Sequence, residues 1–479
     1  MHCSLLAGAS SASTSPRIGG GGEGACCGGG PVGSIISGIT STHPAASISN
    51  HRTHHPQKVN QSTGFSEKPR CPNQPHRLSS RMDQLQLERI QANLQSLGIP
   101  AWLLYSFRDS NPIAARILGL TPQVHQSRRW AVMVPAVGQP VGLAHRIEPH
   151  IGKLMPGHVV EYSSQTEFVE GLRKILAGCA SVAMEYSPNN AIPVIAKVDA
   201  GTVELVRSLG VEVVPSGDLI ASLEAVLSQE QLDSAARAGA SCREVMMGAF
   251  RLIGESVRSG QPITEFDVQE WILRQFALRG LVTDHPPNCS VGPNSANPHY
   301  QPTAESTAAI TRGDFVLIDL WAHERTGDGV YGDITWVGYV GEEIPEDVAE
   351  VFGVVRAARD AAFDAAATAI AAGQKIDGAT LDDAARKVIE AAGYGDYFIH
   401  RTGHSITTEL HGAGANLDNY ETNDTRTILP GTSFSIEPGI YLPGRFGIRS
   451  ELDVVVTHGG QAIATSEPRQ MEVVKILAE

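Results

Sequence analysis

The sequence predicts an α/β domain over residues 82–225 and an α+β domain over 226–479, behind an unpatterned leader, residues 1–81. Three observations predict this arrangement. Strand-like and helix-like segments alternate from Met82 to about residue 225. Long amphipathic helices and then strand-rich sequence fill the remainder. The first 81 residues hold neither period.

The leader contains "GGGGEGACCGGG" followed by Ser, His, Pro and Thr, with few large apolar residues. Such a segment buries too little apolar surface to offset its ordering entropy, so a disordered extension or a targeting tail is expected. Seven basic residues against two acidic ones give it +5, and leave −19 for the rest of a chain of formal charge −14. An acid-poor, Ser-rich leader suits a transit peptide for a plastid or mitochondrion. A cytoplasmic protein with a plain extension, or with translation starting at Met82, is the other expectation. "SLLAGA" is too short, and lacks the preceding basic residues, for a secretory signal.

From Met82 the elements follow in order. "MDQLQLERIQANLQSLGI" has apolar residues at helical spacing and ends at Gly98. "AWLLYS" reads as a buried strand, and "RRWAVMVPAVGQPVGLAHR" as two strands around a Gly-Gln-Pro turn. "TEFVEGLRKILAG" is a helix, "SVAMEYS" a strand, "IPVIAKVDAGTVELVRSLG" mostly a helix, and "VEVVPSG" a strand. No glycine pattern follows a strand and opens a helix, so no phosphate loop is expected. "DLIASLEAVLSQEQLDSAARAGA" turns wholly helical and opens the second domain, followed by "CREVMMGAFRLIGESVRSG" and "TEFDVQEWILRQFALRGL". Thr264 is the expected N-cap of the last, with Asp267 in the capping-box position. After "FVLIDL" and "YGDITWVGYV" come two more helices, over 345–373 and 380–393, and then strand-rich sequence with turn signals to the end.

The acidic balance argues against a phosphate-tracking nucleic-acid binder, and no apolar run reaches the ~20 residues of a membrane helix. Seven cysteines without a CxxC pair form neither a disulfide framework nor a zinc motif; Cys179, Cys242 and Cys289 read as buried thiols.

The chemistry concentrates in acids placed within β-sequence. The apolar run from Phe315 to Ile318 ends on Asp319; a charged, Gly-containing turn then leads back through Val330 and Tyr331 to Asp333. The pattern reads as a hairpin whose strands end on two carboxylates facing each other. His404 lies in "HRTGHSITTELHG", Glu437 in "FSIEPGIY" and Glu451 in "GIRSELDVVV". Four carboxylates and an imidazole embedded in apolar strands are very costly to bury unpaired. Two divalent cations resolve that cost and, a few ångströms apart, activate water and polarise a carbonyl. Oxygen-rich ligands with one histidine suit Mn²⁺ first, or Co²⁺ or Zn²⁺. Asp328, in the turn, is a rival ligand.

The order Asp, Asp, His, Glu, Glu, in the contexts "LID", "GDIT", "GHSITTELH", "EPGIY" and "IRSELD", resembles the pita-bread metallopeptidases, in particular their aminopeptidase P and prolidase branch. The resemblance covers residues 82–479, because that branch carries a creatinase-type α/β domain before the catalytic one. It implies that Asp319 is a terminal bidentate ligand, that Asp333 and Glu451 bridge the ions, and that His404 and Glu437 complete the second one. It also assigns substrate-side or catalytic roles to His299 in "NPHYQ", His400, His411, Tyr441 and Arg449. A hydroxide held between the ions would attack the peptide carbonyl. Glu437 would position or deprotonate the water, and His299 or His411 would support the oxyanion. Three departures fall near these motifs: an expanded hairpin turn, Ser405, Thr407 and Thr408 in place of small glycines, and Trp336 in place of an arginine.

The resemblance therefore implies an aminopeptidase removing the residue before proline from Xaa-Pro peptides, working as a homodimer or higher homo-oligomer, with no nucleic-acid or membrane partner. Alternatives are an Xaa-Pro dipeptidase, a non-peptidase hydrolase or lyase on the same scaffold, and a binding module such as the creatinase-like domains of histone chaperones. The five intact ligands weigh against the last.

Overall fold

Six short apolar strands build the first sheet: β1 (Ala101–Ser106), β2 (Trp130–Pro135), β3 (Val141–His145), β4 (His158–Tyr162), β5 (Ser181–Met184) and β6 (Glu212–Pro215). The structure, a computed structural model, describes residues 82–120 and 124–478; the leader, and the readings made of it, lie outside the described residues. The sheet order is β4-β3-β2-β1-β5-β6, with only β2 antiparallel to its neighbours. Alternation sorts its side chains onto two covered faces. Trp102, Leu104, Val132 and Val134 pack with α1 (Gln84–Ser96), α2 (Pro112–Ile117), α3 (Pro149–Leu154) and α6 (Gly217–Glu224). Leu103, Tyr105, Ala131 and Met133 pack with α4 (Gln165–Ile175) and α5 (Ala200–Ser208). Gly98 closes α1 at a positive φ, as the sequence predicts, and the structure adds Asp83 as its N-cap.

Two helical expectations are corrected. The stretch expected to be mostly helical is helical only over Ala200–Ser208. Asp199 accepts from the Thr202 backbone and starts the helix there, while Lys197 and Val198 donate to the Glu185 carbonyl instead. The continuous helix expected across 218–240 breaks after Glu224 and restarts as α7 (Gln229–Ser259), because Ser228 and Gln231 form a capping box.

The second region packs α7 and α8 (Glu265–Leu278) on one side of a hairpin-based sheet. Thr264 and Asp267 form the expected capping box of α8. β7 (Leu281–Val282) and β8 (Asn288–Val291) both pair with β9 (Phe315–Glu324), which pairs with β10 (Gly332–Tyr339). Then come α9 (Glu346–Ala371), α10 (Gly378–Ala391), β11 (Ser405–Ile406), β12 (Ser433–Ile436), β13 (Gly439–Leu442), β14 (Phe446–Arg449), β15 (Leu452–Val456), β16 (Ala462–Ala464) and β17 (Val474–Lys475). β11-β12-β15-β16 form one sheet, β13 and β14 a two-stranded ribbon, and β17 closes the edge beside β10.

Alternation along the hairpin decides what faces what. Val316, Ile318, Leu320, Ile334 and Trp336 enter the core beneath α7 and α8. Phe315, Leu317 and Val337 enter the core shared with α9, α10 and the C-terminal strands. The residues continuing that second face are Asp319, Trp321, Asp333 and Thr335. Trp336, one of the departures near the ligand motifs, therefore points into the opposite core; one step from Thr335, it can only face the other way. Cys242 and Cys289 are buried in the α7–α8 core, whereas Cys179 is partly exposed.

Helix α7 touches β10 almost backbone to backbone: a Cβ on Gly332 would lie 2.3 Å from the Gly239 nitrogen. Gly332 immediately precedes Asp333, so this contact seats a functional strand. Gly332→Ala should cost about 1–3 kcal/mol through overpacking. Gly353→Ala, in α9 with no atom within 4 Å of the added Cβ, should stabilise by about 0.5–1 kcal/mol. Urea denaturation of both variants is the check; equal effects would refute the packing argument.

Candidate metal centre

The hairpin register sets Thr335 opposite Asp319 and Asp333 opposite Trp321. The two aspartates are thus diagonal neighbours on one face, not the facing pair at strand ends that the sequence suggested; β9 runs on past Asp319 to Glu324. A second sheet delivers the remaining groups. The Glu451 N–H donates to the Thr335 carbonyl at 3.1 Å, laying the start of β15 against β10. Ser435 N–H donates to the His404 carbonyl and Glu437 N–H to that of Thr402, at 2.8 and 2.7 Å, so the His404 and Glu437 segments run side by side.

Asp333, His404 and Glu451 each present one ligand atom within 4.8 Å of the others, all three buried. His404 Nε2 lies 3.6 Å from Asp333 Oδ2 and 3.4 Å from Glu437 Oε1. Asp319 joins through two groups. It forms an ion pair with Arg449 Nη2, and its Oδ1 lies 3.1 Å from Thr335 Oγ1. The Thr335 hydroxyl donates to Glu451 Oε2 at 2.7 Å and accepts from Arg449 Nε at 3.0 Å. Arg449 also donates to Tyr441 Oη at 3.1 Å, and that hydroxyl lies 2.8 Å from His400 Nε2.

The electrostatics test whether cations suit these residues. Desolvation first, and the neighbouring carboxylates next, hold Asp333 and Glu451 well above the ordinary carboxylate range. Asp319 is also raised, again mainly by desolvation, with Arg449 opposing. For Glu437 desolvation is the largest single influence, but His404, Arg449, His400 and Arg401 oppose it and keep the carboxyl below its ordinary value. Asp333 Oδ1 and Glu451 Oε1 are buried with no hydrogen-bond partner. Repelling, unpartnered carboxylate oxygens beside an imidazole are what a hard divalent cation satisfies. The donor set fits.

Other site residues divide. His400 is held below its ordinary pKa by desolvation and reaches the centre through Tyr441. His411 sits in an exposed turn, not on a strand with His404, but its ring meets His404 edge-on at 4.5 Å between centroids. Desolvation and His404 keep that imidazole neutral at physiological pH. His299 is exposed, four residues past Ser295, whose hydroxyl accepts from the Gly447 backbone on β14. Asp328 is exposed at the hairpin tip and joins no metal-capable group among the described residues. Ser405 and Thr407 are buried and fill the space over Gly412, where a Cβ would lie 2.7 Å from Thr407 Cγ2 and 2.9 Å from Ser405 Oγ.

Sequence reasoning passed over three participants. Thr335 bridges Asp319 and Glu451. Asp453 accepts the Asp333 N–H at 2.6 Å. Trp321, opposite Asp333 and partly exposed, donates its indole N–H to Asp284 at 3.2 Å. The signal for all three is the two-residue spacing from a ligand, which in a strand means the same face.

Residues 230–458 match metallopeptidase family M24. Over 360 residues, 73% of this chain and 86% of the relative, it is 30% identical to "Probable dipeptidase PepE" of Mycobacterium bovis. The chain belongs to metallopeptidase family M24. It is also 34% identical over 267 residues to the "Xaa-Pro dipeptidase" of Lactobacillus delbrueckii subsp. lactis, spanning 54% of this chain and 65% of that one. Among solved structures, dipeptidase PepE from Mycobacterium ulcerans superposes with a TM-score of 0.55 at 25% identity, covering 82% of this chain and 97% of its own. The M24 pita-bread fold and the metallopeptidase class expected from the motifs are thereby borne out.

Raised carboxyl pKa values set a sign. Acids raised in the folded chain favour its protonated form, so their contribution to stability is present at low pH and lost as pH rises above the ordinary carboxylate range. Metal binding replaces those protons. The gain in Tm on adding Mn²⁺ to chelator-treated protein should therefore grow from about pH 5 to about pH 8. Asp333→Asn should bind less metal after exhaustive dialysis and lose most of that gain. Calorimetry with metal analysis checks both; a gain that shrinks as pH rises would refute the cation assignment.

Proposed function

We propose that the chain is a dinuclear exopeptidase that cleaves Xaa-Pro bonds next to a free N-terminus, acting on dipeptides. The carrying observation is the buried cluster of Asp333, His404 and Glu451 with its unpartnered carboxylate oxygens. Asp319 and Glu437 extend it to five groups, enough donors for two ions. Dipeptide action is favoured over the longer peptides of the aminopeptidase reading because the relative matched over 86% of its length is named a dipeptidase. In this reading the α/β domain before residue 225 precedes the catalytic one, and the metal-capable residues all lie after it.

The bound ions would supply an activated water and polarise the scissile carbonyl. The protein's own groups do the rest. Glu437, whose carboxyl alone among the four site acids is held below its ordinary value, stands 3.4 Å from His404 Nε2 and is the ionised group available to hold or receive the water's proton. Arg449 fixes Asp319 and Thr335 while its third arm orders Tyr441 and, through it, His400. His411, neutral and at the open rim beside His404, is placed to donate to the developing oxyanion or the leaving proline nitrogen. His299 has the same kind of role from the loop beside β14.

The test is a panel of Xaa-Pro dipeptides, Xaa-Pro-Yaa tripeptides and dipeptides without proline, each with Mn²⁺, Co²⁺ or Zn²⁺. Dipeptides with proline should have the highest kcat/KM. Turnover of tripeptides alone would restore the aminopeptidase reading, and turnover of none by metal-loaded protein would refute a peptidase. Within the same assays His411→Ala should keep its metal yet lose roughly a hundredfold in kcat. Parallel loss of metal would make His411 a ligand or prop.

A further inference from the structure

β8 lies on the side of β9 away from β10, and its register sets Asn288 opposite Asp319 and Ser290 opposite Leu317. Cys289 and Val291 enter the α7–α8 core. Asn288 and Ser290 therefore face the other way, onto the surface that carries Asp319, Asp333 and Thr335. A strand buried on both sides is ordinarily apolar throughout; here both positions on the site face are polar. Asn288 is 2% exposed, and its Oδ1 has no hydrogen-bond partner. An amide oxygen buried in that way costs about 1–3 kcal/mol as a purely structural choice. It is explicable if a donor arrives with the substrate.

The neighbours say which donor. Asp319, across the ladder from Asn288, offers only acceptors once it is ionised in the metal-loaded protein. Arg449, the cation paired with Asp319, is already engaged by Asp319, Thr335 and Tyr441. A corner of acceptors suits a positive group with several N–H donors and no acceptor of its own, and an ammonium is that group. On a dipeptide or any Xaa-Pro substrate, the α-ammonium lies one residue from the scissile bond.

We propose that Asn288 Oδ1, with Asp319, holds the free α-ammonium of the substrate's N-terminal residue, which makes Asn288 a positioning residue that enforces exopeptidase action. The inference rests on the exopeptidase reading above and deepens it. It is tested with metal-loaded protein by measuring inhibition constants for alanyl-proline and its des-amino analogue propanoyl-proline, in the wild type, Asn288→Leu and Asn288→Asp. The wild type should prefer the free amine, and Asn288→Leu should reduce that preference roughly tenfold to a hundredfold. Asn288→Asp, which keeps an acceptor at the position, should retain it. Metal content should stay normal in all three, and the Tm of Asn288→Leu should be unchanged or higher, since the unpartnered oxygen is gone. A preference unchanged by Asn288→Leu overturns the proposal, as does metal lost in step with it. Should Asn288→Leu not fold, loss of the preference in Asn288→Asp overturns it equally. A wild type that hydrolyses no peptide at all refutes the exopeptidase reading instead, a result read from turnover and not from these inhibition constants.

Discussion

Carboxylates crowded onto one buried face of a β-sheet repel one another, and the architecture of the second region is organised around that repulsion. Asp319 and Asp333 come from one hairpin, Glu451 from a strand of another sheet, and Glu437 and His404 from paired segments beside it. None of these acids would be stable there alone. Each is tolerable because an Arg, a Thr hydroxyl or an imidazole stands next to it, and because the remaining oxygens are shaped to receive a divalent ion. Arg449 is the central counter-charge. It reaches Asp319, Thr335 and Tyr441 at once, so the protein supplies one fixed cation and leaves the other positions to metal.

The rest of the fold keeps these groups in place. The hairpin's other face, away from the ligands, is packed under α7 and α8, where Gly332 and Gly239 allow a helix and a strand to touch without side chains between them. Behind Glu451, Arg359 of α9 is fully buried and donates to Ser450 and to the Gln470 carbonyl, while the Gln470 side chain pairs with the Val337 backbone. The first sheet has its own polar anchor: Glu185, fully buried, receives hydrogen bonds from Trp102, Asn111 and Ser216, and desolvation pushes its pKa up to about 7. Asp218 and Ala191 then tie this sheet's loops to the segment around Asn423–Thr427.

Much of this was legible from residues alone, and the failures have physical causes. The elements with strong periods or explicit caps, such as the Thr264 helix, are where expected, and the hairpin is present although its first strand runs on past Asp319. Register was not legible: nothing local in "GDFVLIDL" or "YGDITW" distinguishes two facing aspartates from two diagonal ones, because pairing is chosen by the cores on either side. Direction is hidden with it, so that nothing local tells that Trp336 turns away from the ligands and Thr335 toward them. The helix break at 225–228 was hidden by good helix formers on both sides of Ser228, whose capping box with Gln231 was the available signal. Asn288 lay in "PPNCSVGP", where no period marks a strand and no neighbour in sequence hints at Asp319.

The hairpin's ladder has a consequence for how this chain can vary. Pairing from Phe315–Tyr339 to Ala322–Gly332 locks Asp319 and Asp333 into relative position from within the sheet. β7 holds the far end of β9 at His323 and Glu324, and Arg237 of α7 clamps Glu324 as well. The exposed turn at 325–328 lies beyond all of these restraints. Loop-closure entropy grows slowly, about 0.6 kcal/mol for each doubling of length. Insertions there are therefore close to neutral for the site, and lineages can lengthen or shorten the turn without renegotiating the ligands. The same freedom makes it a place to attach a reporter dye at the hairpin tip while leaving the ligands untouched.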